Sequence, residues 1–268
     1  MVDDHRGNAV RDRIEAGEVA LGVLDNTYSP TLVEFYGELG VDFVWLDFEH
    51  GGPSPWDATA MEDLLRAAEG TGTEVLARVP TTEPALVRKV LDAGVRNVFL
   101  SRVSGVEEVE RAARATRFEY DGEPGDRGMA NPRARRWGLA DDYVATEDEE
   151  VFFGVTVENS EAVDAIDDIV AVPELDFVFA GPLDLSVSLG HPGELDHPEV
   201  EEGIERIRST AVESDVALGG LGFGMDDVNE KAEEGYQMLH VGSTTGAVKS
   251  AVDGWLGGFD GPRSADPE

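Results

Sequence analysis

At 268 residues and 41% hydrophobic, the chain is long enough for one large α/β domain and far in composition from disordered sequences. Aspartate and glutamate number 56 against 21 lysines and arginines, a formal net charge of -35 that excludes nucleic acid and anionic membrane surfaces as partners by repulsion. Cysteine is absent, which excludes disulfides, thiolate metal sites and a cysteine nucleophile.

The acidic residues run the whole length of the chain, and lysine occurs only at Lys89, Lys231 and Lys249. A surface of this kind repels itself at low ionic strength and is screened by salt, so the sequence predicts a halophilic source. The first residues are polar, and no apolar run approaches the length of a membrane span, so a cytoplasmic location is expected.

In chain order, residues 1–17 read as a polar extension with a leading helix. Short apolar strands are then expected at 20–24, 42–47, 74–79, 97–100, 151–157, 177–180, 217–221 and 238–241. They alternate with amphipathic helices at 30–39, 57–68, 84–93, 106–115, 160–170, 198–214 and 226–234. Eight strands alternating with helices predict a single (β/α)8 TIM barrel over residues 18–257, with residues 258–268 as a polar tail. A doubly wound open sheet would need a glycine-rich first turn, and Leu24-Asp25-Asn26-Thr27 is not one. Gly40, Gly70, Gly94 and Gly235 suit left-handed helix caps. The long stretch 120–143, rich in Gly, Pro and Arg, is expected to cover the barrel mouth or a neighbouring subunit.

Polar residues at the ends of barrel strands are the candidates for chemistry. Glu158 and Asp184 follow adjacent strands and offer two carboxylates to a hard divalent cation, Mg²⁺ or Mn²⁺, with Co²⁺ a further candidate. Such a cation would polarise a 2-keto acid and stabilise its enolate. His50 precedes Gly51-Gly52 and is the natural proton carrier, although taken by itself it reads rather as a partly buried histidine satisfied by a loop carbonyl. Arg78 ends an apolar strand and needs an anion there, either Asp47 or, the favoured reading, the substrate oxygen. All three lysines fall in helical patterns, so Schiff-base chemistry has no lysine inside the barrel.

Together these residues resemble the HpcH/HpaI family of metal-dependent pyruvate aldolases in the phosphoenolpyruvate/pyruvate barrel superfamily. The motifs are Asp47-Phe48-Glu49-His50, Ala77-Arg78-Val79-Pro80, Leu91-Asp92-Ala93-Gly94, Val155-Thr156-Val157-Glu158 and Ala180-Gly181-Pro182-Leu183-Asp184. The resemblance implies His50 as base, Asp92 as the aspartate orienting it, and Arg78 on the pyruvate carbonyl and enolate. It implies Glu158 and Asp184 as metal ligands, Glu49 on metal-bound water, and the backbone at Gly181, Pro182, Leu183 and Asp184 around the pyruvate carboxylate. The implied reaction is reversible retro-aldol cleavage of a 4-hydroxy-2-keto acid to pyruvate and an aldehyde. Homohexamers built as trimers of dimers, with the last helix exchanged between barrels, are also implied.

Three positions depart from the family pattern: Thr156 where Gln is common, Arg102 in Leu100-Ser101-Arg102-Val103 where Val-Pro-Met-Val is common, and Leu183 where Ala or Ser is common. The alternatives are a malyl- or citramalyl-CoA-type lyase, whose nucleotide contacts could come only from the arginines at 127–136, and a non-catalytic keto-acid-binding barrel.

Overall fold

The computed structural model describes residues 7–259 and residue 261; His5, the polar residues 1–4 and the tail residues 262–268 lie outside them. Eight parallel strands close into a barrel: β1 (Ala20–Leu24), β2 (Phe43–Asp47), β3 (Glu74–Val79), β4 (Asn97–Leu100), β5 (Phe152–Val157), β6 (Phe177–Ala180), β7 (Ala217–Leu221) and β8 (Met238–Ser243). They stand in chain order round the ring, and β8 pairs back to β1 with Ala20 opposite Met238. This is the expected (β/α)8 barrel.

The strands form because they are apolar on both faces. Every residue of β2, β4, β5 and β6 is buried, as covered parallel strands require. Inward-facing Phe43, Trp45, Leu76, Phe99, Phe152, Phe177, Phe179 and Met238 fill the barrel. Trp45, Phe99 and Phe179 meet with ring centroids 5.4–5.6 Å apart, which makes the barrel a packed plug whose upper surface is the floor of the mouth. Gly219 is required in that plug, because a Cβ there would stand 2.6 Å from the Phe179 ring.

The helices are α1 (Ala9–Glu15), α2 (Pro30–Glu38), α3 (Ala58–Glu69), α4 (Pro84–Ala93), α5 (Val106–Thr116), α6 (Tyr143–Glu150), α7 (Ser160–Asp164), α8 (Ile166–Ile169), α9 (Pro182–Ser188), α10 (Pro198–Val212), α11 (Met225–Glu233) and α12 (Thr244–Gly257). Asp57 caps α3 by accepting from the Thr59 and Ala60 amides, satisfying donors the helix cannot. Asn8 caps α1 and donates to Asn97 Oδ1 at 2.8 Å and the Glu150 carbonyl at 2.9 Å, sealing the barrel at the N-terminal ends of its strands. Among the described residues no helix is long and apolar enough to cross a membrane.

Several local expectations are corrected. The stretch 160–170 is two short helices, α7 and α8, which meet at Ala165. Gly70 is right-handed at φ -66, and the left-handed residue of that turn is Gly72 at φ 79. The stretch 120–143 does not cover the mouth of its own barrel. The Ala134 amide bonds the Asp92 carbonyl, Arg133 reaches the Ala93 carbonyl and Glu69, and Arg88 donates to the Asp126 carbonyl. Those partners sit on α3 and α4, mostly at their last turns, so the stretch packs round the opposite, N-terminal end of the barrel.

Candidate active site at the barrel mouth

The mouth begins with a pair that the register dictates. Asp47, the last residue of β2, stands opposite Arg78 of β3. Arg78 Nε donates to Asp47 Oδ1 at 2.8 Å and Nη2 to Oδ2 at 2.7 Å, a two-pronged contact suited to the planar guanidinium. Burial pushes the Asp47 carboxyl up, but Arg78 overcomes it and holds Asp47 below its ordinary value. The guanidinium also lies 5.1 Å from the Trp45 ring centroid. The structural partner weighed against substrate is therefore present, and it occupies two of the three guanidinium nitrogens. Nη1 is left facing Glu49 Oε2 at 3.4 Å.

The β2 loop brings in the next groups. The Glu49 side chain is buried and its Oε1 accepts from Arg102 Nε at 2.7 Å. Its Oε2 has no hydrogen-bond partner and lies 3.5 Å from His50 Nε2. The His50 side chain is 53% exposed at the rim. Gly51-Gly52 lets the loop close on Tyr28, since a Cβ on Gly52 would meet that ring at 2.4 Å. Tyr28, itself at φ 53, donates its hydroxyl to the Asp47 carbonyl. Burial first, and then Asp47 and Asp25, push the Tyr28 phenol up to about 12, so it stays a proton donor.

Glu158 follows β5 and is 4% exposed. Burial pushes its carboxyl up to about 7; the Arg102 amide opposes, Glu49 and Asp184 add to the rise, and Arg78 opposes. The Arg102 amide donates to Glu158 Oε1 at 2.7 Å. Thr156 shares the Glu158 face of the strand, and its Oγ1 is buried without a partner. Gly181 must be glycine, because a Cβ there would stand 2.7 Å from Glu158 Cβ. The Gly181 amide is spent on the Val157 carbonyl and Pro182 has none. The backbone donors left at the start of α9 are therefore those of Leu183 and Asp184. Leu183 is exposed beside half-buried Asp184.

A buried carboxyl whose proton affinity two neighbouring carboxylates raise, beside buried oxygens with no hydrogen-bond partner, fits a hard cation with oxygen ligands. Glu158 and Asp184 would supply its protein ligands. A second cluster, His191, His197 and Glu199, places three ligand atoms within 4.8 Å. There the two imidazoles stack at 3.3 Å and 17°, so their in-plane lone pairs run nearly parallel and cannot converge on one ion. His240 lies in β8 against Trp45, and burial pushes its imidazole down, keeping it neutral.

The structure does not bring Asp92 to His50 within one chain. Asp92 is in the last turn of α4, a ten-residue helix about 15 Å long that runs from the mouth to the opposite end. There it feels burial first, then Arg127, Lys89 and Arg88, with a net rise of its carboxyl. The arginines at 127–136 lie at that same end. Arg127 is held by Glu147 at 2.8 Å and Arg133 by Glu69 at 2.6 Å, which removes them as nucleotide contacts at the mouth of their own barrel. Reading the sequence missed Tyr28, which follows β1 without a motif, and the amide of Arg102, which no side-chain pattern reveals.

A closed parallel barrel with its chemistry-bearing side chains gathered at the C-terminal rim defines a (β/α)8-barrel enzyme. The family model for HpcH/HpaI aldolase/citrate lyase matches residues 22–251. The chain is 32% identical over 253 residues to the 5-keto-4-deoxy-D-glucarate aldolase of Enterobacter sp. (strain 638), covering 94% of this chain and 96% of that one. Among solved structures, an HpcH/HpaI aldolase/citrate lyase family protein from Burkholderia cenocepacia J2315 superposes with a TM-score of 0.87 at 31% identity, covering 93% and 98% of the two chains. Citrate synthase SbnG superposes with a TM-score of 0.82 at 25% identity, covering 93% and 96%. This chain belongs to the HpcH/HpaI aldolase/citrate lyase family, and it is a carbon–carbon lyase of the aldolase type.

Proposed function

We propose that the chain reversibly cleaves a 4-hydroxy-2-keto acid, a 2-keto-3-deoxy sugar acid or a 4-hydroxy-2-oxo-dicarboxylate, to pyruvate and an aldehyde. The relatives named 5-keto-4-deoxy-D-glucarate aldolase support a sugar-diacid substrate within that class. One observation carries the chemistry. Lys89, Lys231 and Lys249 stand on the outer helices α4, α11 and α12, so the barrel offers no amine for an imine and enolate stabilisation falls to the mouth. A divalent cation, Mg²⁺, Mn²⁺ or Co²⁺, held by Glu158 and Asp184, would supply Lewis-acid polarisation of the keto carbonyl.

In this reading the Leu183 and Asp184 amides hold the substrate carboxylate. Arg78, fixed by Asp47, offers Nη1 to the oxygen that becomes the enolate. His50 takes the proton from the 4-hydroxyl, its ring oriented toward Glu49. The C3–C4 bond then breaks as the C4 oxygen becomes the aldehyde carbonyl, the bond's electron pair passes into the enolate, the aldehyde leaves, and the proton held by His50 returns to C3 to release pyruvate. Buried Thr156 Oγ1 gains a partner when the keto acid and its water are in place.

We assign the chain a homohexamer of exchanged dimers. Supporting this, α12 turns Val248, Trp255 and Leu256 outward, with Trp255 74% exposed, an apolar face that exchange would bury. Asp92 can serve a His50 only across an interface between two copies. The test of the whole reading is pyruvate release from a panel of 4-hydroxy-2-keto acids with and without added cation; a rate unaffected by cation removal would contradict it.

A further inference from the structure

Resting on the aldolase reading above, we propose that Arg102 is a specificity residue. It receives a carboxylate at the aldehyde end of the substrate, so that the preferred substrate is a diacid.

Arg102 follows β4 with φ 59, a left-handed conformation uncommon for a residue with a Cβ. Two contacts maintain it: its amide on Glu158 Oε1 at 2.7 Å and its Nε on Glu49 Oε1 at 2.7 Å. Together they lay the side chain across the mouth between the β4 end and the β2 loop. The side chain is nevertheless 64% exposed, and an exposed ion pair contributes little to stability. The amide bond to buried Glu158 accounts for the left-handed backbone, and stability does not account for an arginine side chain upon it.

The engaged nitrogen decides the reading. Glu49 takes Nε, and among the described residues nothing bonds the two terminal nitrogens. Their shared edge is the fork that grips a carboxylate with two parallel hydrogen bonds. The other mouth arginine, Arg78, has already given two nitrogens to Asp47. Charge leads the same way. Asp47, Glu49, Glu158 and Asp184 surround the mouth of a chain carrying a net charge of -35. A dianion is repelled there unless an exposed cation meets its second carboxylate, and the field of Glu49, Asp184 and Glu158 falls on Arg102. A substrate ending in a neutral hydroxymethyl group has no use for that fork.

The test compares wild type, Arg102→Met and Arg102→Lys at fixed ionic strength. Pyruvate release is measured from a 4-hydroxy-2-keto acid ending in a carboxylate and from its analogue ending in a hydroxymethyl group. The preference for the diacid, as a ratio of kcat/KM, should fall roughly 10- to 100-fold in Arg102→Met, with part retained in Arg102→Lys. An unchanged ratio in Arg102→Met, or equal losses on both substrates, overturns the proposal.

A second arm needs no turnover. Calorimetric binding of 2-oxoadipate and 2-oxohexanoate, in the presence of Mg²⁺, isolates the distal carboxylate. Selective weakening of 2-oxoadipate in Arg102→Met supports the proposal and equal weakening of both ligands, or of neither, overturns it. If wild type cleaves neither hydroxy-keto acid, the aldolase reading fails while this arm still decides the role of Arg102.

Discussion

Asp47 and Arg78 face one another across β2 and β3 and share two hydrogen bonds of 2.7 and 2.8 Å, which leaves the remaining nitrogen, Nη1, facing Glu49 Oε2 at 3.4 Å. The pair is nearly buried, with side chains 10% and 11% exposed. Replacing Asp47 by Asn keeps the shape and removes the charge. The expected outcome is a loss of roughly 3 kcal/mol in stability, by denaturant unfolding. A fall in kcat/KM of about 100-fold should accompany it as Arg78 loses its aim. Full activity in Asp47→Asn would show that Arg78 orients itself without this partner.

Glu158 gives a pH prediction with a definite sign. Its folded carboxyl is raised to about 7, from an ordinary 4.5. In the metal-free chain it therefore opposes folding as pH rises from about 4.5 to 7, and the whole penalty is present above 7. Glu158→Gln should accordingly stabilise the metal-free protein at pH 8 by on the order of 1–3 kcal/mol, while abolishing stabilisation by added cation. In wild type, one proton competes with the cation below pH 7, so apparent affinity should fall about tenfold per pH unit there. A pH-independent affinity by calorimetry would remove Glu158 from the ligand set.

Because Asp92 and His50 stand at opposite ends of one barrel, a functional pair would have to form between copies. Asp92→Asn and His50→Ala, each of low activity alone, should recover roughly a quarter of wild-type activity when their subunits are exchanged, as random pairing in a symmetric oligomer gives. Failure to recover any activity after demonstrated exchange would leave Asp92 with its structural neighbours Arg127 and Arg88 only.

The charge of -35 predicts salt-dependent stability. The unfolding midpoint should rise steadily between low salt and molar KCl as self-repulsion is screened. A flat or falling thermal-denaturation midpoint would mean that the acidic surface is not under electrostatic strain.

The eight strands were legible because covered parallel strands are apolar runs with few competing signals. Helix α9 was not, being only seven residues that begin at Pro182 behind Gly181; nor was α6, whose acidic sequence shows no apolar stripe. Among candidate site residues, the position of Glu158, Asp184, His50 and Arg78 at the mouth was legible from strand ends alone. Asp92 and the stretch 120–143 stand away from the mouth of their own barrel for one shared reason. Motif and composition do not say which end of a barrel a residue occupies, whereas the alternation does: a residue ending a helix, or a segment between helix and strand, lies away from the mouth. Arg102 was visible only as a departure from a pattern, and its role depends on a backbone angle that sequence does not display.

The central claim is that a cation at Glu158 and Asp184 drives cleavage to pyruvate. The most direct test follows pyruvate release from a 4-hydroxy-2-keto dicarboxylate, first by chelator-treated wild type, then with Mg²⁺ or Mn²⁺ titrated back, alongside Glu158→Gln. The account predicts negligible release after chelation, saturable recovery with cation in wild type, and none in the variant. Undiminished release from the chelated enzyme, or cation-dependent recovery in Glu158→Gln equal to wild type, would contradict it.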